Sequence, residues 1–148
     1  METKEILLKL RNENNLSQDE LANKLFVTRQ AVSRWENGET TPNIETLKSL
    51  SKLYNVSINT LLGSPQQLFC QCCGMPLDDS TISRDESGEF HEDYCKWCLT
   101  ESGEYTYKTM DSLLKFITAN FPLENMSAEQ TSAYYREPLL KLKHWQAN

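Results

Sequence analysis

The sequence predicts a mainly α-helical protein: a five-helix N-terminal domain followed by a small cysteine-bearing module with C-terminal helices. Three observations carry this. Between Leu16 and Gly38, LSQDELANKLFVTRQAVSRWENG, two capped helical patterns are joined by a tight turn. Further helical patterns flank that stretch on both sides, those after it capped. Beyond residue 67, two C-x2-C pairs stand 21 residues apart, and helical periodicity resumes after them.

In chain order, Thr3 to about Glu13 is predicted as helix 1, with Ile6, Leu7 and Leu10 as its inner stripe and Asn14-Asn15 ending it. Ser17 caps a second helix, Gln18 to Leu25, and Glu20 three residues on completes a capping box. Phe26-Val27 forms the turn. Thr28 caps a third helix, Arg29 to Asn37, which Asn37-Gly38 ends, since these residues tolerate a left-handed backbone. Leu21, Leu25, Val32 and Trp35 fall on the inner stripe. Arg29, Gln30, Ser33 and Arg34 remain outside, and none is acidic. Such a face suits a DNA major groove, where Arg pairs bidentately with guanine and Gln with adenine. Periodicity alone fits an ordinary solvated helix face equally well.

The segments LSQDELA and TRQAVSRWENG, with Pro42 after them, resemble the helix-turn-helix of the phage-repressor-like transcriptional regulators, the xenobiotic-response-element family. The resemblance covers residues 3 to 63. It implies a repressor-like five-helix domain that binds double-stranded DNA. It implies base contacts from Arg29, Gln30 and Ser33 on helix 3, with Thr28 at its N-terminus. Phosphate contacts are expected from Gln18, Arg34 and the loop residue Thr40. It also implies a structural pair between Arg11, near the end of helix 1, and Glu36, closing helix 3. In the remainder of this domain, Asn43 caps a helix from Ile44 to Tyr54, with Leu47, Leu50 and Leu53 inward. Ser57 caps a short helix, Ile58 to Leu62, terminated by Gly63.

The net charge of −6 is unusual for a DNA-binding chain, but it is uneven. Residues 1–63 carry eight Lys/Arg and eight Asp/Glu, whereas residues 64–148 carry seven and thirteen. The acidic half is expected to avoid DNA while the neutral half presents a local basic face. A monomer would then bind DNA weakly, which favours a homodimer on two half-sites. No apolar run reaches 18 residues, so no membrane span is expected. The charged N-terminus does not look like a signal peptide, and a cytoplasmic location is expected. In a reducing compartment, five cysteines favour metal ligation or redox sensing over structural disulfides.

Ser64 to Gln67 is predicted as a linker between domains at 1–63 and 68–148. Cys70 and Cys73, with Cys95 and Cys98, have the spacing of a tetrahedral Zn2+ site. Four thiolates leave no open coordination position, so such a site is structural. A disulfide pair or unligated buried cysteines are the alternatives. Cys72 is a spare thiol beside the site, able to be oxidised or to exchange with a ligand. His91 is expected on a surface hairpin.

FCQCCGMPL, DYCKWC, GEYTY and the stretch TMDSLLKFI resemble the zinc ribbon domain family from about Leu68 onward, and LLKLKHW resembles that family's closing motif. Cys72, and an acidic loop from Asp79 to Glu92, depart from the pattern. The resemblance implies a small zinc-ribbon module with C-terminal helices. Short strands are expected at 81–83 and 89–90 around a turn at 84–88. Thr109 caps a helix, Met110 to Ala119, broken by Phe121-Pro122. Ser127 and Gln130 form a capping box for a last helix, Ala128 to Arg136, which Pro138 kinks or interrupts. Tyr134, Tyr135 and Trp145 are expected to be packing residues.

These readings converge on a sequence-specific transcriptional regulator, with repression the favoured direction. Its C-terminal module serves interaction or dimerisation, binds a partner protein or effector, or senses zinc or oxidants. An antitoxin-like adaptor is the rival. Enzyme chemistry is disfavoured: the sequence has no phosphate-cradling loop, no G-x-S-x-G, no H-E-x-x-H, and only two histidines.

Overall fold

The structure, a computed structural model, describes residues 1–146. By their internal contacts these residues form two compact units, one of Met1–Gln67 with Ser87–Phe90, the other of Leu68–Glu86 with the chain from His91. None of the described helices is long and apolar enough to cross a membrane.

In the first unit the order is α1 (Thr3–Glu13), α2 (Gln18–Leu25), α3 (Arg29–Asn37), α4 (Ile44–Tyr54) and α5 (Ile58–Leu61). Each start follows from a side chain that satisfies an orphan backbone N–H. Ser17 accepts from Glu20, Thr28 from Ala31, Asn43 from Thr46 and Ser57 from Thr60. α1 opens on a Glu2/Glu5 capping box that the sequence reading did not anticipate. α3 ends at Gly38 with φ +77°. That left-handed backbone disfavours any larger residue there, while the Lys4 side chain nearby can move aside.

One apolar core unites Ile6, Leu7, Leu21, Ala22, Val32, Trp35, Leu47, Leu50, Tyr54 and Leu61, with Leu10 and Leu25 packed on its margin. Leu53 is a correction. It was expected inward but is 37% exposed, and Tyr54 is buried in its stead. The stripe of α4 runs Leu47, Leu50, Ser51, Tyr54, the i, i+3, i+4, i+7 pattern of a single face. Ser51 is accommodated because its hydroxyl donates to the Val56 carbonyl at 2.5 Å. Tyr54 is less well satisfied. Its hydroxyl is buried with no hydrogen-bond partner, and burial pushes its pKa up to about 12.

The second unit has two small antiparallel sheets, β1 (Leu68–Phe69) with β2 (Pro76–Leu77), and β3 (Ile82–Arg84) with β4 (Phe90–Cys95). The β1–β2 pair, with Leu68 opposite Leu77 and Phe69 opposite Pro76, was not anticipated, because two-residue strands leave no periodicity. After them come α6 (Met110–Asn120), α7 (Ala128–Leu140) and α8 (Lys143–Gln146). α6 and α7 open on the expected caps, Thr109 and Ser127.

Of the two outcomes expected at Pro138, interruption does not occur: α7 runs through it to Leu140 and so passes the expected end at Arg136. Pro138 lies on an exposed face near the helix end, and Tyr134, whose carbonyl loses its donor, is exposed as well. Water can therefore replace the missing bond. Tyr134 is thus not a packing residue: it is 60% exposed.

Candidate nucleic-acid interface and metal centre

α2 and α3 present the first candidate site. Val32 and Trp35 bury one side of α3, so the opposite side faces solvent with Arg29, Gln30 and Arg34 exposed and Ser33 half-exposed. Arg29 Nε lies 4.0 Å from Asp19 Oδ2, both side chains well exposed. A bridge that long and wet is worth little and can be exchanged for another anion. Thr28 Oγ1 accepts the Ala31 N–H at 3.1 Å, which leaves its hydroxyl hydrogen to donate. Ser33 Oγ accepts from Asn37 Nδ2 at 3.5 Å. The loop after α3 is tied back, with the Glu39 and Thr40 N–H groups at 2.9 and 3.5 Å from the Arg34 carbonyl. Thr40 is thereby placed beside the end of α3 with its side chain exposed.

Beneath this face, Arg11 Nε and Nη2 donate to the two Glu36 carboxylate oxygens at 2.5 and 3.1 Å. Arg11 Nη1 donates to the Leu16 carbonyl at 2.7 Å. Hydrogen bonding to Glu36 raises the Arg11 pKa further above its ordinary value. Gln18 Nε2 also donates to Glu36, at 2.9 Å. Gln18 therefore has a structural partner that the sequence reading missed. One of its amide hydrogens is thereby committed to Glu36. The bonds link the C-terminal end of α1, the first turn of α2 and the last turn of α3, which fixes the pose of the exposed face.

The second candidate site is formed by Cys70, Cys73, Cys95 and Cys98. Their sulfur atoms all lie within 4.8 Å of one another, and Cys73 Sγ is 3.9 Å from Cys95 Sγ. Tetrahedral Zn2+ with sulfur ligands at about 2.3 Å requires S···S separations of about 3.8 Å, so the four residues fit the ion. The spacing arises locally. The first pair sits in the loop between β1 and β2, closed by hydrogen bonds from Gly74 N to the Cys70 carbonyl and from Cys70 N to the Met75 carbonyl, both 2.8 Å. Gly74 has φ +77°, a left-handed backbone that glycine adopts without strain. The second pair begins on the last residue of β4, where the Cys98 and Leu99 N–H groups both donate to the Cys95 carbonyl at 3.1 Å. Backbone N–H groups of Cys73 and Met75 face the Cys70 and Cys73 sulfurs. The four sulfurs compete for protons: hydrogen bonds from its neighbours draw the Cys70 pKa down, while the same contacts push Cys73 and Cys98 up. Four thiolates so close are mutually repulsive unless a cation lies among them.

Cys72 is outside this quartet yet fully buried, and its thiol lies against Cys98. His91 is exposed, as expected. The surroundings of the first cysteine pair include a clamp that the sequence did not reveal. Lys143 N and His144 N donate to the Gln71 side chain and carbonyl at 3.1 and 3.2 Å. Trp145 Nε1 donates to the Cys72 carbonyl at 2.7 Å. Lys143 Nζ reaches Asp93 at 2.8 Å, and Gln71 N donates to the Asp93 carbonyl at 2.7 Å. The His144 ring packs on Tyr105 at 4.7 Å. The LLKLKHW stretch thus closes over the metal-binding loop, which gives Trp145 its packing role.

Both parts of the chain match known families. Residues 69–146 match the family described as "Putative zinc ribbon domain", and residues 7–61 match the helix-turn-helix family. The chain belongs to the zinc ribbon domain family and carries a phage-repressor-like helix-turn-helix domain at its N-terminus. It is 46% identical over 66 residues to the HTH-type transcriptional activator BcrR of Enterococcus faecalis, a match covering 45% of this chain and 32% of that protein. It is 27% identical over 114 residues to the uncharacterized HTH-type transcriptional regulator YqaE of Bacillus subtilis, covering 77% of this chain and 88% of that one. Among solved structures, the P22 c2 repressor protein in complex with synthetic operator 9T is 34% identical, with a TM-score of 0.41, over 42% of this chain and 94% of that one.

Proposed function

We propose that this chain is a sequence-specific, double-stranded-DNA-binding transcriptional regulator acting in the cytoplasm, with a structural Zn2+ in its C-terminal module. The observation that carries the reading is the exposed, non-acidic face of α3 posed by the Arg11–Glu36–Gln18 bonds. Arg29, Gln30 and Ser33 read base edges in the major groove. Gln18, Thr28, Arg34 and Thr40 hold phosphates and set the register. A homodimer places two such faces on two half-sites. The direction of regulation depends on where the operator lies relative to the promoter. One relative is named an activator, so the repression favoured from sequence has no special support.

Cys70, Cys73, Cys95 and Cys98 would hold the zinc. With four thiolate ligands it serves as a crosslink and supplies no reactive position. Burial of Cys72 weighs against sensing by direct oxidation, since susceptible thiols are accessible. The module then acts through its surface, as a dimerisation or partner-docking element. Phe116, Phe121 and Tyr134 are exposed on α6, α7 and the turn between them, which supports this role.

The test is selection from a random duplex pool by the full-length, zinc-loaded chain, followed by affinity measurements on the enriched site and on unrelated duplex at one salt concentration. Gln30→Ala should cost about 1–3 kcal/mol on the enriched site alone. Gln18→Ala should weaken both duplexes alike. Equal losses on both duplexes for Gln30→Ala would remove its base-reading role. Failure to enrich any sequence would overturn the regulator reading.

A further inference from the structure

Phe26 is the least protected large apolar residue among the described residues. Its side chain is 96% exposed, and it sits in the turn between α2 and α3 with φ +56° and ψ +41°. The left-handed backbone is strained for any residue with a Cβ, and uncommon for a bulky aromatic. The turn needs that conformation, because the Phe26 and Val27 N–H groups close α2 on the Asn23 and Ala22 carbonyls at 3.4 and 3.0 Å. Glycine would meet the need without strain, and asparagine with less strain than phenylalanine. Neither the strain nor the exposed ring is offset by any packing within the domain. Both are offset if the ring is covered when the protein binds its target.

The surroundings of Phe26 name that target. It lies three residues before Arg29 and two before the Thr28 cap, so its backbone is within about 11 Å of both. The turn is continuous with the N-terminal end of α3, the end that leads into the groove on the regulator reading, on which this inference rests. The one apolar group that the major groove offers an aromatic ring is the thymine 5-methyl.

We propose that Phe26 is a specificity-determining residue of the DNA interface, whose ring packs against a thymine methyl at the edge of the half-site. It adds an apolar contact to the polar base contacts of Arg29 and Gln30, and selects thymine at one position without any hydrogen bond.

The experiment compares wild-type, Phe26→Gly and Phe26→Asn full-length, zinc-loaded chains. The probe is the duplex that wild-type enriches from a random pool, and the same duplex with each thymine replaced singly by uracil, which removes only the methyl. For wild-type, one substituted position per half-site should weaken binding roughly fourfold, the scale of one buried methyl. For both variants the same replacement should make no difference, and their affinity for the parent duplex should already be reduced. Their melting temperatures should not fall, because the turn is relieved of strain. The salt dependence of binding should be unchanged, since no phosphate contact is lost. Three results overturn the proposal: variants that bind the thymine duplex as tightly as wild-type, uracil effects identical in all three chains, or a loss of dimer in the variants that accounts for their weaker binding. Failure of wild-type to enrich any duplex defeats the regulator reading first, and is distinguishable from all three.

Discussion

Arg11 and Glu36, 25 residues apart, meet as a two-bond fork with side chains only 12% and 5% exposed. Glu36 also receives Gln18, so one carboxylate accepts from two other helices. Truncating either partner leaves the other charge partly buried and unpaired. Arg11→Ala or Glu36→Ala should therefore destabilise the N-terminal unit by about 2–4 kcal/mol, well beyond a surface bridge. The double variant Arg11→Met/Glu36→Leu should lose less than the sum of its parts. Chemical denaturation followed by helical circular dichroism checks both, and strict additivity would show that the fork contributes nothing as a pair.

Tyr54 gives a contrasting case, a polar atom with nothing to bond. Tyr54→Phe removes a buried, unpartnered hydroxyl and keeps the ring, so stability at pH 7 should be unchanged or rise by up to about 1 kcal/mol. The pH dependence follows from the raised pKa. Below pH 10 the hydroxyl is protonated folded or unfolded, and its contribution is constant. Between the ordinary value of 10 and the folded value of about 12, only the unfolded chain ionises, so stability falls as pH rises. Denaturation at pH 9 and pH 11 should show wild-type losing more stability than Tyr54→Phe. Parallel losses would place the alkaline sensitivity elsewhere.

The cysteine quartet predicts one zinc per chain. A chelator strong enough to remove it should abolish the near-ultraviolet signature of Trp97 and Trp145, while the helices of the N-terminal unit persist. Cys98→Ser should lose the metal. Cys72→Ser should retain it, because the Cys72 sulfur is not one of the four that converge. Mass spectrometry of the native chain counts the metal directly. Loss of zinc from Cys72→Ser would make the fifth cysteine a ligand.

Trp145→Phe tests the clamp. It deletes the indole N–H that meets the Cys72 carbonyl at 2.7 Å and keeps most of the ring packing. The expected cost is about 1 kcal/mol, read as faster zinc transfer to a chromophoric chelator than from wild-type. An unchanged transfer rate would mean the metal-binding loop is held without help from the C-terminal segment.

Much of the N-terminal unit was legible because its signals are local. Ser17, Thr28, Asn43 and Ser57 each cap the helix that follows them, and a cap is visible within four residues. The four converging cysteines were legible for the same reason, since each pair is a single turn. What escaped was set by distance or by the pleat. Gln18 meets Glu36 across 18 residues, and nothing in either neighbourhood encodes it. Leu53 was assigned inward by residue type, whereas helical phase gave that place to Tyr54. Pro138 was expected to kink or interrupt the last helix, yet an exposed site two residues before the end of α7 lets the helix continue. β1 and β2 are too short to show alternation, and their pairing follows from closure of the cysteine loop between them.

The bond between Trp145 and the Cys72 carbonyl spans 73 residues, and it bears on the order in which the molecule is made. All five helices of the first unit lie within residues 3–61, so they can assemble while the chain is still emerging from the ribosome. The metal-binding loop at residues 70–73 must wait for residues 143–145 before its clamp closes, and contacts of such long range form slowly. A nascent chain that stalls before Lys143 would therefore carry a finished first unit on an unfinished second one. On the regulator reading, such a product would carry a finished DNA-binding face without the module that dimerises it or docks its partner.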